Sequence, residues 1–363
     1  MKKPVIAIGL DAGDPELIEK WMAEGHLKTF SQLRERGAYG SIHNTVKSCG
    51  VPEEMGATET LWPAFITGCR ADTTGYWDIV KYDPRTYQVS CNVKDSGYDY
   101  EKFPPFYALG DDYKVAVFDL PYASVSQNVN GTQLLGWGGT YPYNPNASSP
   151  PELYDKIIQQ YGENPILFKD DGTWRQDSYI RWEIPALANS IAGHAAISQQ
   201  LLKQDQWDLF IMTFNETHTA GHDLYHCSDS RHPLYPTYAQ RYGSDPVLET
   251  YKNIDRAIGE ILSAAPQDAY VLCFSIHGMG LNYSDLNSQT FLPEILYRFS
   301  FPSHVAIAPG DPNVPPPPVM VTFPRNSWHG QVWASLYEPN PIKKLWRTWT
   351  HKRFLRNDKH GLR

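Results

Sequence analysis

The chain has 363 residues, of which 41% are hydrophobic and 20% charged, with a net charge of −8. That profile fits a globular protein of one large α/β domain with an insertion, or of two domains. Residues 342–363 hold eight Lys and Arg against Asp358, a net of +7, which leaves −15 on the remainder and argues against a nucleic-acid surface there. No apolar run approaches the roughly 20 residues that a membrane span needs. Five scattered cysteines (Cys49, Cys69, Cys91, Cys227, Cys273) without a CxxC pair fit a reducing compartment. Met1-Lys2-Lys3 leads into a strand without the apolar region of a signal peptide, so the expected location is cytoplasmic.

Residues 4–10 read as a buried strand, ended by Asp11-Ala12-Gly13-Asp14-Pro15. Asp14 caps the helix that follows, with Pro15 at its first position and Leu17, Ile18, Trp21 and Met22 on its buried side. Asp11 is thereby left at the carboxyl end of the first strand. A second helix over 30–36 stops at Gly37, and 38–42 has the look of a further strand. In Thr58-Glu59-Thr60-Leu61-Trp62-Pro63, the proline fits near a helix start, which puts Thr58 and Thr60 in the entering loop or first turn. Their hydroxyls can cap the helix, or attack an electrophile whose negative charge the helix end stabilises.

From 79 to 181 the pattern loosens and Tyr, Pro, Gly and Asn accumulate. One strand over 114–119 and one helix after Pro151 interrupt it. Asn130-Gly131 and Gly136-Trp137-Gly138-Gly139 lack the flanking strand and helix of a dinucleotide loop and read as loops. An inserted cap over the sheet is the expectation for this region. Helical periodicity returns over 185–203, and an apolar strand over 209–214 runs into Asn215-Glu216-Thr217-His218-Thr219-Ala220-Gly221-His222. His218 and His222, four apart, lie on one face of a helical turn, a common metal-ligand spacing. A helix over 246–264 precedes a strand over 269–275 that ends in Ile276-His277-Gly278. A last strand over 319–323 comes before His329-Gly330. The tail interleaves basic residues with Leu345, Trp346, Trp349, Phe354 and Leu355, which suits a solvated helix or, as an alternative, an anionic membrane surface.

Asp11, the His218/His222 pair, His277 and His329 each follow a predicted strand. Ligands drawn from several strand ends are what a metal hydrolase on a parallel sheet requires. A threonine hydroxyl is a poor nucleophile until a base or metal lowers its pKa, and the histidine cluster could supply that metal.

These stretches together resemble the alkaline phosphatase superfamily, in its type I phosphodiesterase/nucleotide pyrophosphatase branch. Ile8-Gly9-Leu10-Asp11-Ala12-Gly13-Asp14 resembles the opening motif, whose aspartate binds metal. Thr58 through Thr67-Gly68 is similar, without gaps, to the segment that starts with the nucleophilic threonine, and Thr74-Gly75-Tyr76-Trp77-Asp78 to the His-Gly-Ile-Phe-Asp pattern after it. His218-Thr219-Ala220-Gly221-His222 resembles an Asp-x-x-Gly-His ligand pair, Ser275-Ile276-His277-Gly278-Met279 a Ser-Asp-His-Gly-Met motif, and His329-Gly330 the last histidine ligand. Two family aspartates are replaced, by His218 and by Ile276. No Cys/Ser-x-Pro-x-Arg segment stands at the nucleophile position, which disfavours a sulfatase.

The resemblance implies an alkaline-phosphatase-like α/β core over 1–78 and 182–340, with a mostly parallel sheet, helices on both faces, a cap over 79–181 and a basic tail over 341–363. It implies a metal-dependent hydrolase of phosphodiesters or phosphate esters in which Thr58 forms a phospho-threonine intermediate. One metal pocket would be Asp11, Thr58 and His277, and the other His218, His222 and His329. Asn215 or Glu216 would orient substrate or a ligand histidine, and Glu216 could replace the lost carboxylate. The expected cofactor is one or two divalent ions, zinc first, with manganese or iron as alternatives. The expected partner is a small-molecule phosphate ester rather than a nucleic-acid polymer. A group transferase or a non-catalytic ligand-binding descendant are the alternatives, and oligomeric state stays open.

Overall fold

The computed structural model describes residues 2–42, 58–77, 81–90, 101–138, 146–166, 177–280 except 233, 295–304, and 340–346 except 344. His329, the strand expected over 319–323 and most of the basic tail lie outside the described residues. In chain order the strands are β1 (Val5–Leu10), β2 (Lys81–Asp83), β3 (Gln88–Ser90), β4 (Gly110–Phe118), β5 (Val129–Leu135), β6 (Ala147–Ser149), β7 (Leu209–Phe214) and β8 (Tyr270–Phe274). The helices are α1 (Pro15–Ala23), α2 (Lys28–Arg36), α3 (Thr58–Thr67), α4 (Ala71–Thr74), α5 (Leu153–Tyr161), α6 (Asp177–Gln204), α7 (Glu216–Ser228), α8 (Tyr235–Tyr238) and α9 (Pro246–Ala264).

Among the described residues six strands form one sheet in the order β6-β5-β4-β7-β1-β8, parallel except for β6, and β2 and β3 pair as a separate hairpin. The run Val-Ile-Ala-Ile-Gly-Leu can form β1 because both faces of that strand are covered. Ile6, Ile8 and Leu10 pack with Phe118, Phe210, Met212 and Phe214 against residues of α1, α2, α6, α7 and α9. Ala7 packs on the other face with Val115, Val117, Ile211 and Phe274, beneath Leu61, Trp62 and Ile66 of α3. Helices thus cover both faces of a mostly parallel sheet. Val5 pairs with Leu209 and Leu10 with Phe214, so β1 and β7 end flush and Asp11 stands level with Asn215.

Four expectations are corrected. Residues 38–42 are irregular and exposed, and no strand among the described residues pairs with them. Asn130-Gly131 is inside β5 rather than a loop, and a Cβ at Gly131 would lie 2.2 Å from the Val115 carbonyl oxygen, so glycine permits the close strand approach. β4, β5 and β6, all within the expected 79–181 cap, belong to the central sheet. Finally, α6 begins at Asp177 and carries Pro185 in its interior rather than at its start, as α3 carries Pro63. Among the described residues no helix is long and apolar enough to cross a membrane.

Candidate active site

The carboxyl ends of β1, β7 and β8 bring Asp11, His218 and His277 together, with one ligand atom of each within 4.8 Å of the others. Asp11 is buried at the first position after β1, where its N–H donates to the Phe214 carbonyl at 2.9 Å. Its Oδ1 lies 3.1 Å from His277 Nε2, and its Oδ2 lies 3.2 Å from His218 Nδ1. The Trp62 indole N–H, on α3, donates to Oδ1 at 2.8 Å. Thr58, buried in the first turn of α3, places Oγ1 3.2 Å from the same His277 Nε2. His222 Nε2 lies 3.0 Å from His218 Nε2, one helical turn along α7. The two expected pockets therefore meet at Asp11, whose carboxylate faces an imidazole from each.

Burial alone would keep the Asp11 carboxyl protonated, but the His218 and His277 imidazoles outweigh it and hold the group well below the usual carboxylate range. Burial lowers the basicity of His277, yet the Asp11 carboxylate dominates and raises its pKa. His222 is pushed down to about 4 by burial and by His218 beside it. The donor set suits a divalent cation. His277 Nδ1 lies 3.1 Å from the Gly278 carbonyl, and a proton there leaves Nε2 as a lone pair facing Thr58 and Asp11. A lone pair and a carboxylate 3.1 Å apart, beside two imidazole nitrogens 3.0 Å apart, call for a cation or protons between them. Nitrogen and carboxylate oxygen are zinc-type ligands.

The remaining expected residues are placed differently. Glu216 does not reach His218 or His222. Its Oε1 takes His194 Nδ1 at 2.8 Å and the Ser190 hydroxyl at 2.5 Å, on the face of α7 turned to α6, so it cannot replace the lost carboxylate. Asn215 is buried at the helix cap, where its carbonyl, not its side chain, accepts the His218 N–H at 3.1 Å. Ile276 is buried in the apolar cluster around Phe274. Two partners escape a sequence reading: the Trp62 indole, which looks like core, and His194, which lies with Ser190 on the apolar stripe of α6. A polar pair four apart on a buried helix stripe was the available signal.

No curated protein matches the chain in sequence. Among solved structures, phosphonoacetate hydrolase from Sinorhizobium meliloti 1021 in complex with phosphonoformate is 15% identical with a TM-score of 0.45, over 76% of this chain and 56% of that one. BT1596, a 2-O GAG sulfatase, is 11% identical with a TM-score of 0.43, over 77% of this chain and 58% of that one. The chain thus spans less than two thirds of the length of either. The sequence profile of the type I phosphodiesterase / nucleotide pyrophosphatase family matches residues 5–313, every strand of the described sheet and every described site residue. On that match the chain belongs to the type I phosphodiesterase / nucleotide pyrophosphatase family, a hydrolase family of the alkaline phosphatase superfamily.

Proposed function

We propose that this chain hydrolyses a phosphodiester or phosphate ester of a small molecule, with Thr58 as nucleophile and a divalent cation, zinc foremost, as cofactor. The observation that carries the reading is the meeting of Thr58 Oγ1, His277 Nε2 and Asp11 Oδ1 within 3.2 Å steps at the carboxyl ends of two strands and the start of α3. Asp11, His218 and His277 would hold the cation, with His222 beside them, and it would polarise the phosphoryl group and acidify the threonine hydroxyl.

The chain's own groups supply the rest. Thr58 is held at the amino end of α3, where first-turn N–H groups favour the negative charge of a phosphoryl group in flight. Trp62 and His277 fix the Asp11 carboxylate, and the buried walls exclude bulk water from it. Attack by Oγ1 on phosphorus would form the Oγ1–P bond as the P–O bond to the ester group breaks, the hydroxyl proton leaving with the departing oxygen as alcohol. Water would then cleave the phosphorylated Thr58 to regenerate its hydroxyl.

The test is hydrolysis of thymidine p-nitrophenyl monophosphate and of p-nitrophenyl phosphate by apo protein reloaded with Zn, Mn or Fe, beside Thr58→Ala. Metal-dependent release of p-nitrophenol that falls by about a thousandfold or more in Thr58→Ala is the expected result. The ratio of the two rates separates diester from monoester preference. Turnover unchanged in Thr58→Ala would remove the nucleophile assignment.

A further inference from the structure

Behind the cation ligands lies a second group of ionisable side chains that the reaction does not use. Asp119, His194 and Glu216 are each buried from solvent and joined in a row: Asp119 Oδ2 lies 3.0 Å from His194 Nε2, and Glu216 Oε1 lies 2.8 Å from His194 Nδ1. Asp119 stands at the end of β4 with a left-handed backbone (φ 50°) and accepts the N–H groups of Trp137 at 2.8 Å and Gly138 at 2.7 Å. Ser190, itself held by Asn164 at 2.7 Å, donates to Glu216. Two glycines make the slot. A Cβ at Gly138 would lie 2.3 Å from the His194 ring, and one at Gly193 would lie 2.4 Å from the Trp137 ring.

With a carboxylate oxygen at each ring nitrogen, His194 donates twice and is an imidazolium, so the row is a buried ion triad. Apolar side chains of similar volume usually stabilise a core as well as such a triad or better, so stability alone does not account for it. Its geometry offers a different role. Glu216, Thr217 and His218 are the first three residues of α7. Glu216 ties that turn to α6 and β4 through His194, and the Thr217 hydroxyl ties it to the Asp11 carbonyl at 2.5 Å. His218, the next residue, must then meet the Asp11 carboxylate at 3.2 Å.

We propose that Asp119, His194 and Glu216 are positioning residues that lock the first turn of α7 so that His218 and Asp11 are held at cation-binding distance. The inference rests on the reading of Asp11, His218 and His277 as a cation site.

The experiment is calorimetric titration of ZnCl2 into apo protein, with thermal unfolding of the same samples, for wild type, His194→Gln, Glu216→Gln and the distant core variant Ile258→Ala. Glu216→Gln keeps the shape and removes only the charge, which guards against a His194 variant that fails to fold. The expected result is zinc affinity roughly tenfold or more weaker in His194→Gln and Glu216→Gln, and unchanged in Ile258→Ala despite its lower melting temperature. Affinity within twofold of wild type in the two triad variants, or a loss no greater than that of Ile258→Ala, overturns the positioning role and leaves the cation site standing. A wild-type protein that takes up no zinc overturns the cation-site reading, and the positioning role with it.

Discussion

A buried imidazolium makes stability depend on pH in a direction opposite to that of a buried neutral histidine. Burial works against the charge on His194, but Glu216 and Asp119 outweigh it and raise its pKa from 6.5 to about 10. Because the folded value is the higher one, the contribution to stability is complete below pH 6.5 and is lost as pH rises toward 10. At 1.36 kcal/mol per pH unit, the displacement corresponds to on the order of 5 kcal/mol across that window. In His194→Gln the titrating group is gone, while Asp11, His277 and every other ionisable side chain remain. Urea unfolding of metal-free wild type and variant at pH 6.5, 8 and 9.5 isolates the term as a difference. Wild type should lose several kcal/mol more than the variant between the first and last pH. Parallel profiles across that range would refute the imidazolium.

Trp62→Phe keeps the ring packing and deletes the N–H that donates to Asp11 Oδ1 at 2.8 Å. A stability loss of about 2 kcal/mol is expected from the denaturant midpoint, typical of a hydrogen bond to a charged acceptor. Gly131→Ala drives a Cβ to 2.2 Å from the Val115 carbonyl at φ 147°, and should cost on the order of 3 kcal/mol by the same assay. Gly193→Ala would stabilise an isolated helix by about 1 kcal/mol. Here the new methyl meets the Trp137 ring at 2.4 Å, so a lower melting temperature is expected instead.

What was legible in the sequence was local. The β1 to α1 unit, with Asp14 accepting the Leu17 N–H at 3.0 Å, rests on residues within a few positions of one another. β7 and α9 were legible for the same reason, since a continuous apolar run and a helical stripe each announce themselves. Failures came where distant residues decide. Residues 38–42 have strand-like composition but, among the described residues, no strand to pair with. Asn130-Gly131 looks like a turn until the Val115 carbonyl is known to pass beside it. Pro185 looks like a helix start, because the packing that carries α6 back to Asp177 cannot be seen in the proline's immediate neighbours.

The site divides along the same line. Asp11, His218 and His277 could be picked out because each follows an apolar run that reads as a strand, and Thr58 through the proline after it and the resemblance of its segment. Their mutual order could not, since Asp11 and His277 are 266 positions apart and Thr58 and His277 are 219 apart. The resemblance implied two ligand sets, and the flush ends of β1 and β7 put His218 of one set against Asp11 of the other. The same register explains why Glu216 cannot serve as the missing carboxylate. Two positions apart on a helix, Glu216 and His218 point about 200° apart around its axis. If His218 faces Asp11, Glu216 must face α6, and a carboxylate buried there needs the partners that His194 and Ser190 provide. The placement of His218 against Asp11 and the buried triad behind it are therefore linked through the geometry of one helical turn.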